Sequence, residues 1–352
     1  MKKASEQIKI TGLYIELTSQ CNLRCLHCYN ESGASTHRID EKSFRNIIKG
    51  IEDPMKVRVT LSGGEPLLHP ELWKFIEILH QEGFREILII TNATLITKEV
   101  AEKLNEYGVS MQVSLNGSCA IIHEQLCGTG NFEKTLAGLK ALKAAGINRI
   151  LVRYMLAKFN SEDLVDFLTL MKSIGITHIE ISSLTLLGRS KDNMEKLYLS
   201  SSECERIVQE YKRNSIVKSY IESGMVVNFP EGVTIGCPYL NAMADEIPIT
   251  PRISADGLVH FCQLFSDKKY AVGSVKDSSI VDIFKLNQCD ELIDFFRIGV
   301  NYMNECDKCV WKSACGRGCI ALCLSRGSIQ ETDGNCHLRK KILLSDLEQK
   351  GL

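Results

Sequence analysis

The segment Cys21-Asn22-Leu23-Arg24-Cys25-Leu26-His27-Cys28 sets three cysteines in a C-x3-C-x2-C spacing, directly after the first strand-like run. Three thiolates at this spacing can hold three irons of a [4Fe–4S] cube and leave the fourth iron without a protein ligand. An iron left open can bind and reduce a small molecule, whereas a fully ligated cube mainly stores or passes electrons. The spacing therefore points to chemistry rather than to structure alone.

Fifteen cysteines among 352 residues is a high count. The N-terminus, MKKASEQIKITG, has two lysines but lacks the apolar stretch of an export signal. In a reducing compartment such a count argues for metal sites rather than disulfides, and the cytoplasm is the expected location. No apolar run approaches the roughly 20 residues of a membrane-spanning helix. A net charge of −1 gives no general attraction to nucleic acid or to an anionic membrane, so neither is expected as a partner. Cys119, Cys127, Cys204 and Cys289 lie apart from the other cysteines and read as small buried hydrophobes.

Outward from the triad, strand-like and helix-like runs alternate from residue 8 to about 185. The strand candidates are IKITGLYIEL, KVRVTLS, REILIITN, VSMQVSL, RILVRYML and HIEISS. Amphipathic stretches separate them, and several end in Gly, a common helix stop. Apolar runs rich in Ile and Val suit parallel strands covered by helices. A closed barrel needs eight βα units. Six units predict an α/β fold with an open, partial (βα)6 TIM-like barrel, its open side leaving room for a bulky substrate. The expected division is a barrel over 1–188, a bridging helical segment over 189–235 and a small cysteine-rich α+β domain over 236–352.

Ser62-Gly63-Gly64-Glu65-Pro66 ends the second strand. Alone it reads as a turn. Its glycines also let the backbone approach a ligand, and its carboxylate can bind an ammonium group. Thr91-Asn92, Ser114-Leu115-Asn116-Gly117 and Leu186-Leu187-Gly188-Arg189 end later strands. All fall on the rim where βα barrels bind ligands.

Taken together, the triad, the GGEP segment and the six units resemble the radical S-adenosylmethionine (SAM) superfamily over about residues 1–190. The resemblance implies that Cys21, Cys25 and Cys28 ligate a [4Fe–4S] cluster whose open iron chelates SAM. One electron then cleaves a C–S bond of SAM to give a 5′-deoxyadenosyl radical, which abstracts a substrate hydrogen. It further implies that His27 meets the adenine through its backbone, and that Gly63, Gly64 and Glu65 hold the SAM amino group. Ser114 and Asn116 match the family's S-x-D-G segment near the ribose and carboxylate, with Asn in place of Asp. Leu186 is the expected adenine contact. Many relatives end the next helix in Arg-Gly where this chain has Cys127-Gly128, so Arg153 or Arg189 is expected to supply a cation for the SAM carboxylate.

Cys306-x2-Cys309-x5-Cys315-x3-Cys319 is followed by Cys336 and preceded by Cys237 and Gly257-x4-Cys262. In isolation the set suits a zinc ribbon as well as iron–sulfur. Behind a barrel of this kind it resembles the SPASM domain, which implies two auxiliary [4Fe–4S] clusters. Cys306, Cys309, Cys315 and Cys336 would ligate one, and Cys237, Cys262 and Cys319 the other, nearer the barrel. The second set is one ligand short. Cys323 lies one helical turn beyond Cys319 and would complete that cluster, act as a redox-active thiol, or simply be a packed thiol. The long gap between Cys237 and Gly257 suggests an enlarged hairpin.

The expected function is a radical SAM oxidoreductase that modifies a ribosomally made peptide by crosslink, thioether, epimerisation or oxidation. The alternative is an enzyme of small-molecule, cofactor or haem-related biosynthesis, and the remote one a non-catalytic iron–sulfur electron carrier. Sulfatase-type maturation is disfavoured, because Gln263 stands where such relatives carry an Asp. Strand one begins by residue 8, so a leader-binding domain is not expected ahead of it. A peptide would then be recognised directly or through a separate leader-binding protein, with flavodoxin or ferredoxin as electron donor. The acid, base or hydrogen donor is unassigned, with Cys323, Cys127 and Tyr154 as candidates and His123 at the same rim.

Overall fold

The computed structural model describes residues 3–230, 237, 239, 245–265, 267–299, 304–315 and 318–349. The first strand-like run breaks at Thr11 into β1 (Ile8–Ile10) and β2 (Gly12–Thr18). β2 is followed by β3 (Arg58–Gly63), β4 (Ile87–Thr91), β5 (Ser110–Ser114), β6 (Ile150–Leu156) and β7 (His178–Ser183). These six lie side by side in chain order, and each pairs in parallel with the next. Parallel neighbours need a crossover, and helices such as Glu41–Ile48, Leu72–Gln81 and Lys98–Glu106 supply it. Local chemistry starts them: the Asp40 side chain accepts the Ser43 N–H at 2.7 Å, and Thr97 accepts that of Val100 at 3.3 Å. Leu13, Ile15, Val59, Leu61, Ile89, Val113 and Val152 are fully buried between sheet and helices. This is the partial barrel expected from the sequence.

The sheet also grows at both edges. β8 (Val226–Asn228) adds in parallel to β7, after helices that include Ser201–Arg213 and Ser215–Glu222 in the bridging segment. At the other edge, β10 (Arg252–Ile253) adds in parallel to β2, with β11 (Leu258–His260) and β12 (Gly273–Ser274) antiparallel beyond it. The result is a ten-stranded sheet. An open barrel leaves two rows of unpaired backbone groups, and these short strands cover both. β9 (Ile247–Ile249) pairs with β1 in a separate two-stranded sheet. Residues 238 and 240–244 of the hairpin expected between Cys237 and Gly257 lie outside the described residues. Its described part runs beside the N-terminus as β9 and β10.

The C-terminal region packs into the same apolar core as the barrel. Phe261 is its hub, with ring centroids 4.7 Å from Tyr239 and 5.7 Å from Phe296. A buried ion pair joins the two regions. Arg252 of β10 donates to both carboxylate oxygens of Glu16 in β2, at 2.7 and 2.8 Å. Asn30 adds a third donor to Glu16 at 2.7 Å. Among the described residues no helix is long and apolar enough to cross a membrane.

Candidate cofactor site

A cavity of about 260 Å3 opens at the C-terminal ends of the six parallel strands. Cys21, Cys25 and Cys28 line it together with Gly63 and Gly64 at the end of β3, Ser114 and Asn116 at β5, and Arg153 of β6. Gln263 and Leu264 line it from the C-terminal region. The cysteine loop and the segment that follows Cys262 therefore face one space.

Backbone contacts hold the loop in place. The Gly64 N–H donates to Thr18 O at 2.7 Å and the Glu65 N–H to Gln20 O at 2.9 Å. A Cβ at Gly64 would lie 2.0 Å from Gln20 O, so only glycine permits this approach. On the far side Gly188 has a φ of +55°, and a Cβ there would lie 2.5 Å from Tyr29 O. Arg189 then straps the loop. Its N–H donates to Cys28 O at 3.0 Å, its Nε to Cys25 O at 2.9 Å and its Nη1 to Ser32 O at 3.0 Å.

Several expected residues meet at the cavity. Ser114, Asn116, His27 and Arg153 all line it. Asn116 Oδ1 accepts the Met155 N–H at 2.8 Å, while its Nδ2 is buried with no protein partner. His27 Nδ1 is also buried without one. Burial, reinforced by Arg189, His123 and Arg153, lowers His27 to about 4. Arg153 donates to Ser182 Oγ at 3.1 Å and pairs with Glu180 at 3.3 Å. His123 lines the cavity too, and its Nδ1 accepts the Asn116 N–H at 3.0 Å. That bond assigns its proton to Nε2, and burial lowers its pKa to about 4, which keeps it neutral.

Three expected residues lie away from the cavity lining. The Glu65 carboxylate does not face the cavity. It accepts the Thr91 hydroxyl at 2.8 Å, the Asn92 N–H at 2.9 Å and the Leu67 N–H at 3.2 Å. It is fully buried, and burial raises it to about 7. Its side chain ties β3 to β4, leaving Gly63 and Gly64 as that part of the wall. Leu186 is not at the wall either. The Leu187 N–H turns back to Thr185 O at 2.9 Å, and Leu184 and Thr185 line the cavity instead. Tyr154 points into the core, where its hydroxyl donates to Asn160 O at 2.7 Å and its ring packs 4.5 Å from Phe167. Burial raises its pKa well above the usual phenol range, so it is a structural group.

Other residues at the site carry no motif in the sequence. The Tyr14 hydroxyl lies 2.7 Å from that of Tyr29 and 2.9 Å from that of Ser62, and all three residues line the cavity. The Glu16–Arg252 pair stands behind them. A carboxylate inside the apolar run LYIEL was the available signal, because a charge in a buried strand needs a partner.

The C-terminal cysteines are drawn together by tertiary packing. Cys237, Cys262 and Cys319 are close enough to disfavour one another's ionisation. Burial is the larger cause, raising Cys237 to about 12 and Cys262 to about 11. Cys315 and Cys336 neighbour each other in the same sense. The Cys309 N–H donates to Cys306 O at 3.1 Å. Cys323 is buried, its N–H bonded to Cys319 O at 3.0 Å, with Cys319 and Cys306 both within electrostatic reach. Asp333 accepts the Cys319 N–H at 3.0 Å and pairs with buried Arg339 at 2.8 Å. Among the described residues no three His, Cys, Asp or Glu side chains are gathered as ligands of a single metal ion. The loop thiols instead border a cavity, an arrangement that suits a multi-iron cluster.

Comparison with known proteins agrees with this geometry. Residues 15–171 match the model of the radical SAM superfamily, and residues 250–310 match that of SPASM, an iron–sulfur cluster-binding domain. The chain is 31% identical over 193 residues to the mycofactocin maturase MftC of Mycobacterium tuberculosis, covering 53% of this chain and 48% of that one. It is 33% identical over 203 residues to an AdoMet-dependent heme synthase of Methanosarcina barkeri, covering 55% of each. The chain thus spans about half the length of these curated relatives. The fold is also that of native anSMEcpe with bound AdoMet, at a TM-score of 0.73 and 17% identity over 96% of this chain and 97% of that one. Streptococcus suis SuiB bound to precursor peptide SuiA gives a TM-score of 0.69 at 16% identity, covering 92% and 76%. The chain therefore carries a radical SAM domain followed by a SPASM domain.

Proposed function

We propose that the protein is a radical SAM enzyme that modifies a peptide. The observation that carries this reading is the shared cavity. The thiols of the barrel loop and Gln263 of the SPASM segment face one space, so a substrate held by the second domain meets the chemistry of the first. The cofactors of these domains are SAM with a [4Fe–4S] cluster and auxiliary iron–sulfur clusters. When bound, SAM and its cluster supply a 5′-deoxyadenosyl radical for hydrogen abstraction.

The residues present fit these groups. Cys21, Cys25 and Cys28 would hold the first cluster, with the fourth position facing the cavity. The Gly63–Gly64 backbone would approach the SAM amino group. Ser114, Asn116 and His27 offer polar atoms to the rest of SAM, two of them buried and unpartnered at present. Arg153 would meet the SAM carboxylate, since Arg189 is committed to loop carbonyls. In the SPASM domain, Cys237, Cys262 and Cys319 would hold one cluster, with Cys323 as the fourth ligand. Cys306, Cys309, Cys315 and Cys336 would hold the other. The domain division at 188 and 235 goes with this assignment. A separate leader-binding protein and a flavodoxin or ferredoxin donor complete the proposed set of partners.

SuiB, which shares the fold, is seen with a precursor peptide, and MftC is named a maturase. The second reading, a small-molecule substrate, is favoured by the match to a heme synthase. Mass spectrometry of short candidate peptides after anaerobic incubation with reconstituted enzyme, SAM and dithionite separates the two. A two-unit mass loss, or one deuterium gained in D2O, supports peptide modification. Unchanged peptides, with SAM turnover stimulated only by a small metabolite, favour the second reading.

A further inference from the structure

Every polar atom of Asn116 but one is taken by the protein itself. The residue lines the cavity just past the end of β5 and is 2% exposed. Its N–H donates to His123 Nδ1 at 3.0 Å, and its carbonyl accepts from Asn160 Nδ2 at 3.2 Å. Its Oδ1 accepts the Met155 N–H at 2.8 Å. That last bond extends the β5–β6 ladder with a side chain. The Leu115 N–H donates to Arg153 O at 3.1 Å, and Asn116 Oδ1 takes the N–H two residues further along β6. A backbone N–H can only donate, so the bond fixes which end of the Asn116 amide is oxygen. The atom left over is Nδ2, a donor, buried with no partner among the described residues. A buried donor is costly to leave unpaired unless a ligand or a water meets it.

The surroundings indicate which kind of ligand atom suits it. Ser114 pairs in register with Arg153, and Met155 lies two residues beyond Arg153 on the same face of β6. Asn116 is therefore fastened next to the wall position of Arg153. Arg189, the other arginine of the lining, is committed to loop carbonyls. Arg153 itself pairs with Glu180 at 3.3 Å, which offsets part of its charge. A carboxylate placed here needs a further donor, and an N–H that cannot accept suits a group that cannot donate.

We propose that Asn116 is a specificity-determining residue that donates through Nδ2 to the methionyl carboxylate of SAM, next to Arg153. The proposal rests on the SAM reading above and names the atom of this chain that reads the carboxylate. An Asp here would still accept the Met155 N–H, but its second oxygen would be an acceptor facing another carboxylate. The amide is therefore required for binding, although the S-x-D-G pattern carries Asp.

The test uses full-length, iron-loaded, unreduced protein, so that binding is read without turnover. Equilibrium dialysis measures the affinity of wild type, Asn116→Asp and Asn116→Ala for SAM and for 5′-methylthioadenosine, which lacks the methionyl amino and carboxylate groups. N116D should bind SAM about 10- to 100-fold more weakly than wild type. N116A removes the donor without adding charge and should lose about tenfold. Affinity for 5′-methylthioadenosine should stay near the wild-type value in both. SAM affinity in N116D at or above that of wild type overturns the proposal, and so does an equal loss for 5′-methylthioadenosine. If N116D fails to load iron, N116A decides, and unchanged SAM affinity there overturns the proposal too. Iron-loaded wild type that binds no SAM would overturn the SAM reading itself, and the proposal with it.

Discussion

The two cysteine regions are built in opposite ways. The loop at 21–28 is held by backbone contacts: Gly64 against Gln20, Gly188 against Tyr29, and Arg189 strapping the carbonyls of Cys25, Cys28 and Ser32. Its thiols are left free on the cavity side. The C-terminal cysteines come from separate turns and helices that tertiary packing draws together, with the buried Asp333–Arg339 pair holding the Cys319 N–H. The difference suits the proposed roles. A loop fixed from behind can keep one side open for a ligand, whereas thiols gathered from several elements can enclose a cluster.

The sharpest way to break this comparison is to remove one ligand from each region. Cys25→Ala should lose the SAM-sensitive cluster and keep the iron of the SPASM domain. Cys309→Ala should do the reverse. Iron analysis with Mössbauer spectroscopy checks both, and loss of all clusters in either variant would deny that the regions are independent.

The two buried ion pairs come next. Glu16→Leu takes the carboxylate from Arg252, and Asp333→Leu takes one carboxylate partner from Arg339. Each should cost about 3–5 kcal/mol, read by denaturant unfolding. Only Glu16→Leu should also weaken SAM binding, because Glu16 stands behind Tyr14, Tyr29 and the cavity. Equal effects on SAM binding would contradict that placement.

Acid should act on both regions. His123 and His260 are each 1% exposed, and burial lowers each to about 4 from the ordinary 6.5. A folded pKa below the unfolded one gives stability that is present above about pH 6.5 and lost as pH falls through 4. Each histidine accounts for up to about 3 kcal/mol of this loss. Unfolding at pH 7 and pH 5 should show a smaller difference in His260→Phe and in His123→Gln than in wild type. An unaltered pH dependence in both variants would show that these rings do not gain a proton on unfolding.

The smallest effect is expected at Cys323. In Cys323→Ala the cluster of Cys237, Cys262 and Cys319 should gain an open iron that binds added cyanide, seen as a changed spectrum. An identical spectrum with and without cyanide would leave Cys323 as a packed thiol.

The six barrel strands were legible because each is a continuous apolar run between helix signals. β8, β10, β11 and β12 were not, since strands of two or three residues carry no period and form only because the open sheet offers its edges. The motif at Ser62–Pro66 located a backbone that does approach the cysteine loop. It did not reveal that the Glu65 side chain turns toward Thr91 and Asn92, because a side chain's direction depends on what the next strand offers. Nor did the sequence reveal the local turn after β7, which puts Leu184 and Thr185 at the cavity wall. Arg189 belonged to a rim signal, yet its strap across the loop depends on a fold that brings β7 back to β2.

In the proposed enzyme the barrel loop alone makes the radical, while the SPASM domain directs it. The most direct test measures 5′-deoxyadenosine from SAM and dithionite in reconstituted wild type, Cys25→Ala and Cys309→Ala. The account predicts product from wild type and Cys309→Ala and none from Cys25→Ala. Product from Cys25→Ala, or none from fully iron-loaded wild type, would contradict it.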